Sequence, residues 1–156
     1  MFKLQVVNNV PLTSISDINT VAETFLIQIG YISDRYNPRT LTMNIRDSIP
    51  YRLFMDYLVS NPSKAWSIEE LSTLLKTSKP TVYRYIDRLK MLDFLEVVDV
   101  KYKEQPRKGY RIRFGDLTKA WKFTVENVNM AIENYGKTVE HFQLLANKRR
   151  EGLDDY

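Results

Sequence analysis

Apolar residues recur at helical spacing along most of this 156-residue chain, with one stretch where the period drops to two. In KTSKPTVYRYIDRLKML, Lys76 to Leu92, the residues Val82, Ile86 and Leu89 follow spacings of four and three, one buried stripe of a helix. At 100° per residue, Pro80, Arg84, Asp87 and Met91 lie opposite that stripe and Tyr83 and Arg88 fall on its flanks. Ser78 is placed as its N-cap, with Pro80 tolerated in the first turn. Just upstream, AWSIEELSTLLKTS carries a reciprocal start signal: Ser67 as N-cap, Glu70 as capping-box partner, and Trp66 placed to staple onto Leu71. It predicts a helix from Ile68 to Leu75. The KTSK that separates the two has room only for a tight turn, so the pair is expected to form a helix-turn-helix.

An earlier helix is expected to start at Asp47 or Ser48, accept Pro50 in its first turn, bury Leu53, Phe54, Tyr57 and Leu58, and stop at Asn61-Pro62. After the helix-turn-helix, the period changes. Leu95 to Lys101 is rich in β-branched residues, KEQPRKG reads as a turn cluster, and Tyr110, Ile112 and Phe114 alternate with Arg111 and Arg113. The expectation is a β-hairpin with a basic tip.

Two further amphipathic segments flank this centre. Ile18, Val21, Phe25, Ile29, Ile32 and Tyr36 lie at helical spacing after a short strand expected at Phe2 to Val7, and NPRT ends the run. From Asp116, an N-cap candidate, more than thirty residues pass without proline. There Val128, Ile132, Tyr135, Val139, Phe142 and Ala146 keep a 4-3-4-3-4 spacing, the narrow seam of a coiled coil. Such a helix runs roughly 50 Å and needs a partner for its seam, with Gly136 as its weak point. The partner is either a second copy of the chain or the N-terminal helix folded back in a monomer. The resulting organisation is an N-terminal strand/helix extension (1–47), a central domain (48–115) and a long C-terminal helix and tail (116–156).

Charge sharpens the picture. Residues 1–47 hold four basic and four acidic groups, residues 48–115 thirteen against eight, and residues 116–156 six against seven. The basic excess of the chain therefore lies in the central domain, the footprint expected for a polyanion such as nucleic acid, although a solubilising surface gives the same sum. There is no cysteine, which excludes disulfides and cysteine-type zinc sites. His141, the one histidine, stands without metal-ligand spacing. Nucleophile, metalloprotease, P-loop and dinucleotide motifs are all missing, so neither catalytic nor metal-binding residues, nor a cofactor, are expected. No apolar run reaches membrane-spanning length and no secretory leader is legible, which points to a soluble protein of the cytoplasm.

WSIEELSTLLKTSKPTVYRYIDRLKMLDFLEVV followed by KGYRI resembles the winged helix-turn-helix DNA-binding domain of bacterial and archaeal transcription regulators, with local similarity to the IclR, MarR, ArsR and TrmB groups. The likeness covers residues 48–115. It implies a fold that is mainly α with a small β-hairpin wing, flanked here by long N- and C-terminal helices. It departs from the family at Asp93, where members usually carry glycine to end the recognition helix in a left-handed conformation.

The resemblance implies double-stranded DNA as partner, with helix 78–92 in the major groove and wing 101–113 on the backbone or minor groove. Position by position, the helix offers Lys79, Thr81, Tyr83, Arg84 and Arg88. Arg84 suits a bidentate contact to guanine, Tyr83 a thymine methyl or a sugar, and Lys79 and Thr81 phosphate. The wing offers Lys101, Lys103, Arg107, Lys108, Arg111 and Arg113, though charge on an edge hairpin also serves simply to prevent aggregation. A homodimer is expected to form through Val128, Ile132, Tyr135, Val139 and Phe142, because operators are read by two-fold symmetric proteins. Trp121, Phe123, Tyr135 and Phe142 are aromatic enough to line an effector pocket, although at helical spacing they suit a core or dimer interface better. Two other functions fit the same residues: a protein-interaction module in a transcription, replication or chromosome-organising complex, and a sequence-indifferent architectural DNA binder.

Overall fold

The computed structural model describes residues 10–33 and 44–153. The chain divides into two compact units, Met1–Trp121 and Lys122–Tyr156.

In the first unit the order is α1 (Ile18–Gln28), a 3-10 turn (Ile45–Asp47), α2 (Ile49–Arg52) running directly into a π-helical stretch (Leu53–Val59), β1 (Trp66–Ser67), α3 (Ile68–Leu75), α4 (Lys79–Met91), β2 (Leu95–Tyr102), β3 (Gln105–Ile112) and the start of α5 (Leu117–Arg150). The three strands form one antiparallel sheet in the order β1-β3-β2. The fold is a winged helix: mainly helical, with α3 and α4 as the helix-turn-helix and β2–β3 as the wing.

Each helix of that motif begins and ends for a local reason. The Ser67 hydroxyl accepts from the Glu70 N–H at 3.1 Å, as the capping signal predicts, but the Glu70 carboxylate pairs with Lys64 at 2.9 Å. α3 stops where Lys76 turns left-handed (φ 52°), and the Lys76 and Thr77 N–H groups return to the Thr73 and Ser72 carbonyls. α4 starts on Ser78, whose hydroxyl accepts from the Thr81 N–H at 3.3 Å. It ends with Asp93 left-handed (φ 59°), so this position does take the conformation that favours glycine.

Two expectations change. The hairpin turns on Lys103 and Glu104 alone, both at positive φ (49° and 62°), with Tyr102 facing Gln105. Two positive φ values make a type I′ turn, whose twist matches the strands, and so Pro106 to Lys108 belong to β3 rather than to a longer turn. In the N-terminal segment α1 stops at Gln28, and Gly30 (φ 77°) reverses the chain to bring Tyr31 and Ile32 inward. Ile18 stays exposed while Ala22 and Leu26 are buried, so the inward stripe is rotated from the one expected. The expected strand at Phe2 to Val7, Tyr36 and the NPRT segment lie outside the described residues.

α1 packs as a third layer on the winged core. Leu26, Tyr31 and Ile32 join Leu53, Phe54, Leu58, Leu71, Val82, Ile86, Leu89 and Ile112 in one apolar cluster. Phe25 meets Phe94 and Trp121 edge-on, at ring centroid distances of 6.0 and 6.3 Å. The Tyr31 hydroxyl donates to the Pro50 carbonyl at 2.8 Å, and its ring lies edge-on to Tyr85 of α4.

Burial, reinforced by the Tyr85 phenol and opposed by Arg88, holds the Tyr31 phenol well above its ordinary 10.0. Unfolding therefore releases a proton at high pH, because the freed phenol ionises where the buried one does not. The contribution of Tyr31 is expected to be constant up to about pH 10 and to be lost above it. Tyr31→Phe should lower stability at neutral pH by about 1 kcal/mol for the lost hydrogen bond and make the alkaline fall shallower. Denaturant unfolding of both proteins between pH 7 and 11 checks the pair of effects.

Candidate nucleic-acid interface

α4 is held in one rotation about its axis by Val82, Ile86 and Leu89, each fully buried. Tyr83 is 46% exposed on the outer face, with Arg84, Asp87 and Arg88 exposed beside it. Tyr85, which the sequence reading passed over, organises this surface. It follows Val82 by three and precedes Leu89 by four, so helical spacing puts it at the margin of the buried stripe. The Arg84 and Arg88 guanidinium carbons stand 5.1 and 5.3 Å from its ring centroid. Arg84 also reaches the Tyr85 hydroxyl at 3.5 Å, and Arg88 donates to the Tyr31 carbonyl at 3.3 Å. The two arginines are thus positioned by one aromatic ring, Arg88 being the more firmly tied.

At the start of α4, Lys79 sits 3.9 Å from the Glu69 carboxylate, and Thr81 is occupied with its cap, its hydroxyl 2.9 Å from that of Ser78. Glu69 is a second residue the sequence reading missed. Arg107 of the wing reaches the same carboxylate oxygen at 3.3 Å. One acid therefore gathers a cation of α4 and a cation of the wing. The only local hint was its place in the first turn of α3, where acids favour the helix dipole for reasons unrelated to any site.

The wing's other cations divide. Lys108 pairs across the strands with Asp99 at 2.7 Å, which raises its pKa through that hydrogen bond and the carboxylate charge. Arg111 pairs with Glu96 at 2.8 Å. Arg113 spans the Asp93 and Leu95 carbonyls at 2.9 and 3.1 Å and so ties the end of β3 to the end of α4. Lys101 and Lys103 are exposed near the tip, Lys103 5.5 Å from the Tyr102 ring centroid. The surface thus presents Tyr83, Arg84, Lys101 and Lys103 most openly, with Lys79, Arg107, Lys108 and Arg111 each beside an acid.

In the second unit, the expected seam residues Ile132, Tyr135, Val139 and Phe142 are 60–74% exposed, and Val128 is half-buried. Of the aromatics weighed for an effector pocket, Trp121 stacks on Phe94 in the first unit and Tyr135 and Phe142 stand exposed on the second. Among the described residues no group of three His, Cys, Asp or Glu side chains is placed to hold a metal, and no helix is long and apolar enough to cross a membrane.

No protein-family model and no curated protein matches the chain. Several solved structures resemble it. A possible transcriptional regulator from Methanosarcina mazei Go1 is 16% identical, over 64% of this chain and 78% of its own, with a TM-score of 0.39. The heme sensor protein PefR from Streptococcus agalactiae, in complex with heme, is 17% identical over 91% and 100%, at 0.36. A MarR family protein from Bacillus stearothermophilus is 14% identical over 90% and 100%, at 0.28. Scores this low add nothing to what the chain's own elements establish.

Gly109, the glycine of KGYRI, sits where three strands meet. A Cβ there would fall 2.7 Å from a Val100 methyl and 2.9 Å from the Ala65 Cβ. Gly109→Ala should therefore force β1 and β2 apart and destabilise the unit by about 1–3 kcal/mol, read as a lower denaturation midpoint. A midpoint equal to wild type would show that the strands yield freely.

Proposed function

We propose that the protein is a sequence-specific double-stranded DNA-binding transcription regulator that acts as a homodimer. In this reading α4 enters the major groove, the wing lies on the backbone or minor groove, and the seam of α5 joins two copies. The observation that carries it is the outward face of α4, where Tyr83 and Arg84 stand exposed behind a capped helix N-terminus. In a helix-turn-helix the N-terminal half of the second helix meets the base edges. The surrounding charge supports it: Lys76 to Arg113 holds eleven basic and five acidic residues, net +6. Ion pairing within the surface rearranges those charges without removing them.

Under this reading Arg84 reads a base, and Lys79, Arg107, Lys101, Lys103, Lys108 and Arg111 grip phosphate. The protein plays no catalytic part and works beside the nucleoid in the cytoplasm. The runner-up is a protein-interaction module, favoured by the ion pairs that already engage Lys79, Arg107, Lys108 and Arg111.

Selection of sites from random duplexes tests the reading directly, and an enriched palindrome is expected. With about 6 to 10 phosphate contacts per dimer, affinity should fall roughly 10³- to 10⁵-fold between 50 and 200 mM salt. Arg84→Ala should cost about 1–3 kcal/mol on the preferred site and relax choice at one base pair per half-site. Indifference to salt, with site preference untouched by Arg84→Ala, would sink the DNA reading and leave the interaction module.

Glu69→Gln has the opposite expected sign. It removes the acid that Lys79 and Arg107 share, so all duplexes should bind more tightly, roughly threefold to tenfold, with unchanged sequence preference. Uniformly weaker binding would show instead that Glu69 is needed to position the two cations.

A further inference from the structure

Written as a heptad, the seam of α5 has Ile132, Val139 and Ala146 at a positions and Val128, Tyr135 and Phe142 at d. The flanking e positions are Asn129, Gly136 and Gln143, and the g positions Ala131, Thr138 and Leu145. None of the six carries charge. The flanking ion pairs that ordinarily set the direction of a helix pair are therefore missing from this seam, and direction falls to side-chain size and to the charge of each half of the helix.

A parallel pair in register sets like on like: Tyr135 on Tyr135, Phe142 on Phe142 and, at the next d position, Arg149 on Arg149. In an antiparallel pair a faces d. The register that uses all six seam residues sets Val128 on Ala146, Ile132 on Phe142 and Tyr135 on Val139. Every layer then joins a larger side chain to a smaller one, the condition for even packing. The axis falls at Lys137, between Gly136 and Thr138, and a Cβ at Gly136 would meet nothing within 4 Å, so close approach is open there.

Charge points the same way. Residues 122–136 hold Lys122 against Glu126 and Glu133, net −1, while residues 138–150 hold Lys148, Arg149 and Arg150 against Glu140, net +2. Antiparallel pairing lays the acidic half of one helix along the basic half of the other. Parallel pairing stacks the two basic halves.

We infer that α5 pairs with α5 of a second copy in antiparallel sense, with the two-fold axis at Lys137. The inference rests on the homodimer reading above and adds its direction and register. It places the two Lys122 ends about 45 Å apart along the pair.

Because the chain has no cysteine, single cysteines in the full-length protein carry spin labels at one site each. Glu126 is exposed, and Glu126→Cys labels should lie about 33 Å apart along the axis when antiparallel, and within about 10–20 Å when parallel. Lys137→Cys, level with the axis on the outer face of the helix, gives nearly the same distance in either direction, so it reports the pair itself. Dipolar spectroscopy showing coupling at 137 and a long distance at 126 is the expected result. Coupling at 137 with a short distance at 126 overturns the antiparallel inference and leaves the dimer. Loss of coupling at both, with a monomeric mass in sedimentation, overturns the dimer as well. As a second measurement, mixing Ile132→Cys with Phe142→Cys chains should give a disulfide between unlike chains. Disulfides only between like chains would overturn the register.

Discussion

The candidate interface of the first unit depends on the rotation of α4 about its axis, and that rotation is set by apolar burial. Val82, Ile86 and Leu89 are each fully buried, and burying such a side chain is worth roughly 1.5–3 kcal/mol. Turning the helix by a quarter would expose part of that stripe and drive Asp87 or Arg88 toward the core, where an unpaired charge is far more costly. Tyr31 adds a second fixing point, since its ring meets Tyr85 and its carbonyl takes Arg88. The outward position of Tyr83 and Arg84 is thus a consequence of what the opposite face buries. It needs no ligand to hold it.

The electrostatics follow a different logic. Glu69, Glu96 and Asp99 each stand within 4 Å of at least one wing or helix cation. Such pairs at an exposed surface contribute little to stability, because solvent and salt screen them and long side chains must be ordered to make them. What weakens their role in folding makes them easy to exchange. A phosphate offers the same cations a better-shaped acceptor and releases its own counterions on contact. Until such an acceptor arrives the acids compete for the same cations, Glu69 taking both Lys79 and Arg107 on one carboxylate, while the +6 sum of the segment persists at longer range.

Much of this fold was legible because its signals are local. The Ser67 and Ser78 caps, the Val82-Ile86-Leu89 stripe and the change of period after Phe94 each lie within a dozen residues, and each matches the structure. Asp93 was legible through the glycine it replaces. Several of the misses share one cause: they depend on residues distant in sequence. β1 is two residues long and exists only because Trp66 and Ser67 find Tyr110 and Gly109. Tyr31 is silent until the Gly30 turn carries it to Pro50 and Tyr85. Glu69 becomes part of the interface only when α4 and the wing both approach it. At Lys103-Glu104 the turn lacks the usual glycine or asparagine, so composition drew attention to Pro106 and Gly109 instead, although Gly109 is there for close packing.

The two units carry complementary shortcomings. On the proposed function, a single helix face with Tyr83 and Arg84 as its open readers would touch few base edges, and each good contact discriminates by about 1–3 kcal/mol. One head alone would then read too little to pick out a site among many. The second unit exposes Ile132, Tyr135, Val139 and Phe142, an apolar stripe of the kind that marks an interaction surface. In the proposed homodimer two such stripes join, which removes that apolar surface from water and places two heads on one molecule. The second head then binds at an effective concentration set by the helices rather than by bulk protein, and the two readings multiply. On the proposed function, the seam of α5 is as much a determinant of specificity as Arg84 itself.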